Sequence, residues 1–564
     1  MELEGYSVNL EHYGICNGDN SLVCGDIYLR EERECTILEV DIKCRFEPYD
    51  YAVLFERYQS VVITVNLEKC IRKMFAQRVA SPFWTEPAFL ETKLSDEDKL
   101  QYALLNNGEE NIFVLPIANS SFYTTIRKGR ENNCIDVSVN KVSPDGTHIK
   151  GIAAVITKNK NPYKAIALAF EHAVNSKYIL TPLKKNKIYP EELEYLGWCT
   201  WNAFYHDVSE EKILEKLSEF REKKIPVKWV LIDDGWSELS ENKLKSIYED
   251  KNKFPLGLKH TIDVMKNEYG IQSVGVWHAA TGYWRGIDFE NEDTYKTNLG
   301  IIVPCGYAFF SKWHRYLKEQ GVDFIKVDAQ GNLFEFLKNS GDSLEKIVNI
   351  IHGLEKSSKE NFKFMINCMG LGNINMFSRA YSSLLRTSDD FFPDVDNVLE
   401  SHVINNVYNA VFNDHLYFCD YDMWWSKHPE AKQNAVLRYM SGGPFYLSDQ
   451  LEQSDGELIK MFVDENGKIG RFDHAAKPSA DCIFGYDTIL KIFNTKGELG
   501  AVAVFSFGDS GYAYISAADF GETGRYTVKD FFSGETTYLD TNDKMKVEVE
   551  KNDVKLFLFS RVCD

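Results

Sequence analysis

The 564-residue sequence predicts a multidomain α/β protein: a central (β/α)8 TIM barrel between an N-terminal antiparallel β-sandwich and a small C-terminal antiparallel β-domain. Three observations lead there. Short β-branched and aromatic runs separated by polar turns fill the first third of the chain, and apolar strands alternating with helical patterns fill the middle. Strands without helices return at the end. A chain of this length exceeds what one core supports, so several domains are expected, with composition shifts placing them at 1–187, 188–474 and 475–564.

The sandwich rests on stretches such as "YQSVVITVNLE", "NIFVLPIANSSFYTTIR" and "CIDVSVNKVSPDG", which alternate between two faces. One helix of the middle zone lies in "HDVSEEKILEKLSEFREKK". Asp207 or Ser209 caps its start, acidic residues fill its first turn, and Ile213, Leu214, Leu217 and Phe220 share one face. Eight strands follow in "YLGWCTW" (195–201), "KWVLIDD" (228–234), "SVGVWHA" (273–279), "DFIKVDA" (323–329), "FMINCMG" (364–370), "SLLRTSD" (383–389), "HLYFCD" (415–420) and "GPFYLSD" (443–449). Most connections have room for a helix; the one between the fifth and sixth strands has room only for a short one. A barrel is the simplest closure of eight such units. An open doubly wound sheet would carry a Gly-rich phosphate loop after its first strand, and "GWCTWNAF" is not one. The C-terminal domain rests on "AVAVFSFGDSGYAYISAADF" and "KVEVEKNDVKLFLFS".

Composition narrows the function. The aromatic share of 13% supplies flat apolar surfaces suited to sugar rings, and a net charge of -20 excludes nucleic acid as a partner. The twelve cysteines form no C-x-x-C pair and no zinc-spaced cluster, which predicts reduced thiols, a cytoplasmic protein and no metal. The start "MELEGYSVNLEHYG" lacks the basic-then-apolar order of a signal peptide, and no window holds eighteen uninterrupted apolar residues, so no membrane partner is expected. There is no H-E-x-x-H, Walker loop or dinucleotide fingerprint, so no cofactor is expected. Edges of the N-terminal sandwich could support a homo-oligomer.

The chemistry gathers at strand ends. Asp233, Asp234, Asp328, Asp389, Asp420 and Asp449, with Trp201 and Trp277, lie at or just before the C-terminal edges of predicted strands, which meet in one ring in a barrel. One such aspartate alone reads as a helix cap or turn former. In "DFIKVDA", Lys326 and Asp328 share a face, and an ammonium beside a carboxylate favours the ionised form that a nucleophile needs. The competing reading is a buried ion pair serving packing. In "LLRTSDDFFPD", Arg386, Asp389, Asp390 and Asp394 follow an apolar run, and Asp389 and Asp390 should point apart. Two carboxylates facing across a pocket can cleave a glycosidic bond, one attacking the anomeric carbon and the other protonating the leaving oxygen.

The ordered blocks "YLGWCTWNAFYHDVS", "WVLIDDGW", "VGVWHAATGYWRG", "DFIKVDAQ", "RTSDDFFP" and "YDMWWSKHPEAKQNAVLRYMSGGPFYLSD" resemble those of glycoside hydrolase family 36, in the branch of alkaline α-galactosidases, raffinose synthases and seed imbibition proteins. The resemblance spans roughly residues 195–450. It implies a retaining hydrolase acting on terminal α-galactose of raffinose- or melibiose-type oligosaccharides, with Asp328 as nucleophile, Asp389 as acid/base and Asp390 as the fallback acid/base. It further implies substrate binding by Trp201, Asp233, Asp234, Trp236, Trp277, Lys326, Cys368 and Arg386. Cys199, Asn367, His278, Tyr283, Trp284 and Asp449 occupy the same blocks as supporting or packing residues. The alternatives are a raffinose-synthase-like galactosyltransferase or an α-N-acetylgalactosaminidase on the same scaffold and, from another class, a noncatalytic sugar-binding or sensing protein. Asn202, where plant members usually have aspartate, and "SDQLEQ" in place of S-D-K-P-G are departures that bear on acceptor recognition.

Overall fold

The structure, a computed structural model, describes residues 2–3, 6–13, 23–44, 60–95, 98–129, 133–140, 147–337, 340, 342–396 and 398–562. Residues 1, 4–5 and 14 of the opening stretch, 58–59 and 141–146 therefore lie outside the described residues.

Among the described residues the N-terminal region forms a single antiparallel sheet of twelve strands, which corrects the expected β-sandwich. Continuity comes from one long strand, Thr147–Asn159, which pairs with Cys35–Cys44 on one side and Asn111–Pro116 on the other. A register shift between Ile152 and Ala154 marks a bulge, which bends such a strand without breaking the sheet. Both faces are covered. Leu38, Val40, Val65 and Val137 pack within the sheet's own core, while Ile37, Phe113, Leu115 and Val155 join the central core. Helix α1 (Pro162–Asn175), capped by Asn161, contributes Ala165, Ile166, Ala169 and Phe170 to that central core.

All eight middle strands are present and parallel: β1 (Gly197–Cys199), β2 (Trp229–Ile232), β3 (Ser273–Ala279), β4 (Phe324–Asp328), β5 (Phe364–Asn367), β6 (Leu384–Arg386), β7 (Phe418–Asp420) and β8 (Tyr446–Leu447). Their order is β7-β6-β5-β4-β3-β2-β1-β8. The expected closed (β/α)8 barrel is corrected here: β7 and β8 are two sheet edges with no ladder between them, and a single bridge, Trp424 with Leu447, spans the seam. The cause is local. Asp420 accepts from the Asp422 amide at 2.9 Å, and Asp422 adopts φ +70°, so the chain turns away before β7 can extend. Side chains link the edges instead, with the Tyr446 hydroxyl donating to Asp420 at 3.0 Å.

Helices α2 (Glu210–Glu222), α3 (Leu258–Tyr269), α4 (Tyr307–Glu319), α5 (Ser343–Asn361), α6 (Leu399–Asn413) and α7 (Ala431–Tyr439) occupy the connections, and only the five-residue Asn373–Phe377 helix lies between β5 and β6. Ser209, not Asp207, caps α2, accepting from the Lys212 amide. The concave side of the sheet is filled by Cys199, Trp229, Leu231, Phe324, Phe364, Ile366 and Leu384, with Phe324 and Phe364 stacked at 4.5 Å. Gly275 makes room for this packing, since a Cβ there would lie 2.2 Å from the Phe324 ring. This apolar plug leaves the polar residues only the C-terminal ends of the strands.

The C-terminal region is a six-stranded antiparallel sheet with a separate pair, Gly511–Ile515 with Met545–Val549, packed on it through Ile515, Val547 and Val549. Among the described residues no helix is long and apolar enough to cross a membrane.

Candidate active site

A cavity of about 220 Å3 opens at the C-terminal ends of β2, β3 and β4 and the loops after β1, β5 and β6. Of the residues predicted from sequence, Trp201, Asp233, Asp234, Trp277, Lys326, Asp328, Asp389 and Asp390 line it. Trp236, Cys368 and Arg386 do not; all three are fully buried behind its wall.

Asp328 ends β4 with its carboxylate facing the cavity, because Lys326 and Asp328 alternate against Ile325 and Val327, which pack into the outer core. Its two oxygens are held separately. The Trp277 indole donates to Oδ2 at 3.0 Å and the Ala329 amide to Oδ1 at 2.8 Å. Ala329 reaches that position at φ +54°, a strained backbone of the kind found where geometry is fixed for function. Burial pushes the Asp328 carboxyl pKa up, and the Lys326 ammonium and the Trp277 hydrogen bond oppose that rise. A Trp277→Phe protein is therefore expected to carry a still higher Asp328 pKa. If Asp328 must be ionised to act, the acidic limb of kcat/KM moves to higher pH in that protein, and an unmoved limb would count against this linkage.

Asp233 and Asp234 end β2. Lys326 donates to Asp233 Oδ2 at 2.8 Å, and Asp233 Oδ1 accepts from the Asp234 amide at 2.9 Å. Burial lowers the Lys326 pKa, but the Asp233 carboxylate together with Cys368 and Cys199 outweighs it and holds the ammonium well above the usual range. Asp234 accepts from the Tyr283 hydroxyl at 2.9 Å and the Trp284 indole at 2.9 Å, while the His206 ring lies 3.2 Å away and has its pKa raised by that contact. Trp236 stays behind them, its indole donating to the Trp277 carbonyl at 2.7 Å.

The loop after β6 separates its two aspartates. Arg386 is committed to Asp390 and to Asp422, the latter at 2.8 Å, and its guanidinium lies 5.1 Å from the Trp84 ring. Asp389 is exposed at the rim, accepting from the Asp390 amide at 2.8 Å. Crowding by protein on its inner side pushes its carboxyl pKa up, opposed by the Asp390 amide and aided by the Asp390 carboxylate. Asp420 and Asp449 take no part in the cavity wall. Asp420 shapes the seam, and Asp449 accepts from the Ser426 amide at 2.7 Å and from its hydroxyl.

Sequence reasoning missed Phe83, Trp84 and Met369, which complete the wall. Phe83 and Trp84 belong to the N-terminal sheet, on a turn where Ser81 Oγ accepts from both amides. The Phe83 carbonyl accepts from the Leu371 amide at 3.3 Å, and a Cβ at Gly331 would fall 2.6 Å from the Phe83 Cβ. The signal was the aromatic pair beside Pro82 in an otherwise polar turn.

The sequence model of the family described as raffinose synthase or seed imbibition protein Sip1 matches residues 85–255, 238–303 and 293–558. The chain belongs to that family. Within the family, a probable galactinol–sucrose galactosyltransferase 6 of Arabidopsis thaliana is 30% identical over 57% of this chain and 50% of its own length. The galactinol–sucrose galactosyltransferase of Pisum sativum is 27% identical over 72% of this chain and 60% of its own length. The chain thus spans about half to two thirds of these relatives. Among solved structures, the α-galactosidase from Lactobacillus brevis superposes over 99% of this chain and 85% of that one with a TM-score of 0.59 at 12% identity. At that identity the likeness bears on the fold alone.

Proposed function

We propose that the chain transfers α-galactosyl groups by the retaining double displacement of glycoside hydrolase family 36, with a sugar hydroxyl as acceptor. The observation that carries this is the contrast between two carboxylates on one cavity. Asp328 is buried and held by two N–H donors beside an ammonium, whereas Asp389 stands exposed at the rim, bonded only to a neighbouring amide. Such a split in environment supports a division of roles in which Asp328 attacks C1 and Asp389 donates its proton to the departing oxygen. The galactosyl group is then esterified to Asp328. Asp389, now a base, takes the proton of an incoming hydroxyl, whose oxygen displaces Asp328 from the opposite face and restores the original configuration.

Asp233, Asp234 and Lys326 are suited to the sugar hydroxyls, and the indoles of Trp201 and Trp277 to the apolar ring face. Arg386 and Cys368 act from behind the wall. Hydrolysis, the first expectation from sequence, uses the same steps with water as acceptor; the galactosyltransferase relatives favour the sugar acceptor. Galactinol supplied with and without sucrose tests the choice. The reading expects a galactosylated sucrose in excess of free galactose. Free galactose released at the same rate whether or not sucrose is present would favour hydrolysis, and no turnover of any α-galactoside would overturn the proposal.

A further inference from the structure

The cavity has the size of one pyranose, and Asp389 marks its rim, so whatever is bonded to the galactosyl group must lie outside it. Two segments border the rim on the Asp389 side, the short helical stretch 201–207 after β1 and the loop 389–396 after β6. They are fastened to each other: the Asn202 amide donates to the Phe391 carbonyl at 3.3 Å, and the Tyr205 hydroxyl donates to Asp394 Oδ2 at 3.1 Å. Ser448, after β8, donates to Asn202 Oδ1 at 3.0 Å and fixes the orientation of that amide.

The two fastened segments present aromatic rings to solvent. Tyr205 is 38% exposed and Phe392 43% exposed, beside the exposed carboxylate of Asp394. Tyr205 stands at φ +47°, a backbone state that a bulky side chain rarely adopts, and its ring centroid lies 5.3 Å from that of Trp201 in the cavity wall. The exposed Tyr205 ring is thus continuous with the site, and Phe392 lies on the strand-end segment fastened to it. Flat rings edged by a carboxylate match a neutral sugar, whose C–H face packs on an aromatic ring while its hydroxyls donate to carboxylate oxygens.

We infer that Tyr205 and Phe392 form the acceptor site, binding the neutral sugar whose hydroxyl receives the galactosyl group. The inference rests on the proposed transfer reaction and adds the residues that select its acceptor. It explains how a sugar hydroxyl competes with water: a bound acceptor is held beside Asp389, whereas water has no such platform.

The test measures partition between transfer to sucrose and release of free galactose, using an aryl α-galactoside as donor and the full chain as enzyme. In the Tyr205→Ala/Phe392→Ala protein the ratio of transfer to hydrolysis is expected to fall about tenfold or more, with a matching rise in the KM for sucrose. Tyr205→Phe keeps the ring and is expected to stay within about threefold of the parent. Tyr512→Ala, an exposed ring on the C-terminal sheet, serves as the control that moves neither quantity. Both target rings are exposed, and circular dichroism of each variant establishes that it is folded. A double variant with an unchanged ratio and an unchanged sucrose KM overturns the inference while leaving the transfer reaction standing. A parent protein that turns over no donor overturns both.

Discussion

Replacing Asp328 by alanine is expected to lower kcat/KM for an aryl α-galactoside by about 10⁴-fold or more. The carboxylate ends β4, one oxygen held by the Trp277 indole and the other by the Ala329 amide, so no neighbour can inherit its position. Asp233, the nearest candidate in chemistry, is tied to Lys326 and to the Asp234 amide. Losses of this size are typical when a covalent nucleophile is removed. The fold should survive, because Lys326 keeps Asp233 as its partner and one burial-disfavoured carboxylate disappears. Azide should occupy the vacated space and attack C1 from the same side, so that added azide restores turnover and yields the β-galactosyl azide. A variant retaining activity within about tenfold, measured by release of the aryl group, would remove Asp328 from the mechanism.

The second large effect concerns stability. Asp414, directly after α6, is 4% exposed and forms ion pairs with Lys184 from the segment after α1 and with Lys477 at 2.9 Å from the start of the C-terminal sheet. It also accepts from the Ala475 amide at 3.1 Å. One carboxylate therefore ties together segments from all three regions of the chain. Burial alone would raise its pKa, but Lys184 and Lys477 overcome that and hold it well below the usual carboxylate range. A depressed folded pKa means that the contribution is complete above the unfolded value of about 3.9 and is lost only as pH falls through the folded one. Asp414→Ala leaves two nearly buried ammonium groups unpaired, a change that costs about 3–5 kcal/mol in comparable sites. Urea denaturation at neutral pH should show a clearly lowered midpoint, with Asp414→Asn intermediate. A midpoint equal to that of the parent would mean that the three segments are held by other contacts.

Much of this architecture was legible in the sequence, and the failures have physical causes. Period-two alternation in "FIKVD" placed Lys326 and Asp328 on one face, as found, because both faces of β4 are buried and the polar pair can lie only at the cavity end. The same alternation cannot report how strands assemble. The open seam between β7 and β8 depends on a hydrogen bond from Asp422 back to Asp420 and on a left-handed backbone, neither of which periodicity encodes. The single N-terminal sheet likewise depends on one bulge within Thr147–Asn159.

Asp420 and Asp449 looked like Asp328 in sequence, yet each serves a turn or a loop, since a strand-end aspartate carries no mark of what packs above it. Lys216 fell on the apolar face of α2 and is fully buried, where its amine reaches the Gln450 carbonyl at 2.6 Å and Ser454 Oγ at 2.9 Å. Those partners lie more than two hundred residues away, beyond any local pattern. Phe83 and Trp84 were missed for the same reason: they enter the cavity from a region read as a separate domain.

The most direct measurement of the central claim is to trap the galactosyl-enzyme. A fluorinated α-galactosyl donor that forms its adduct faster than the adduct breaks down is incubated with the protein, which is then digested and analysed by mass spectrometry. The account predicts one added fluorogalactosyl mass on the peptide carrying Asp328, and none on that peptide in Asp328→Ala. A label on any other residue, or sustained turnover of galactosides with no label at all, would contradict it.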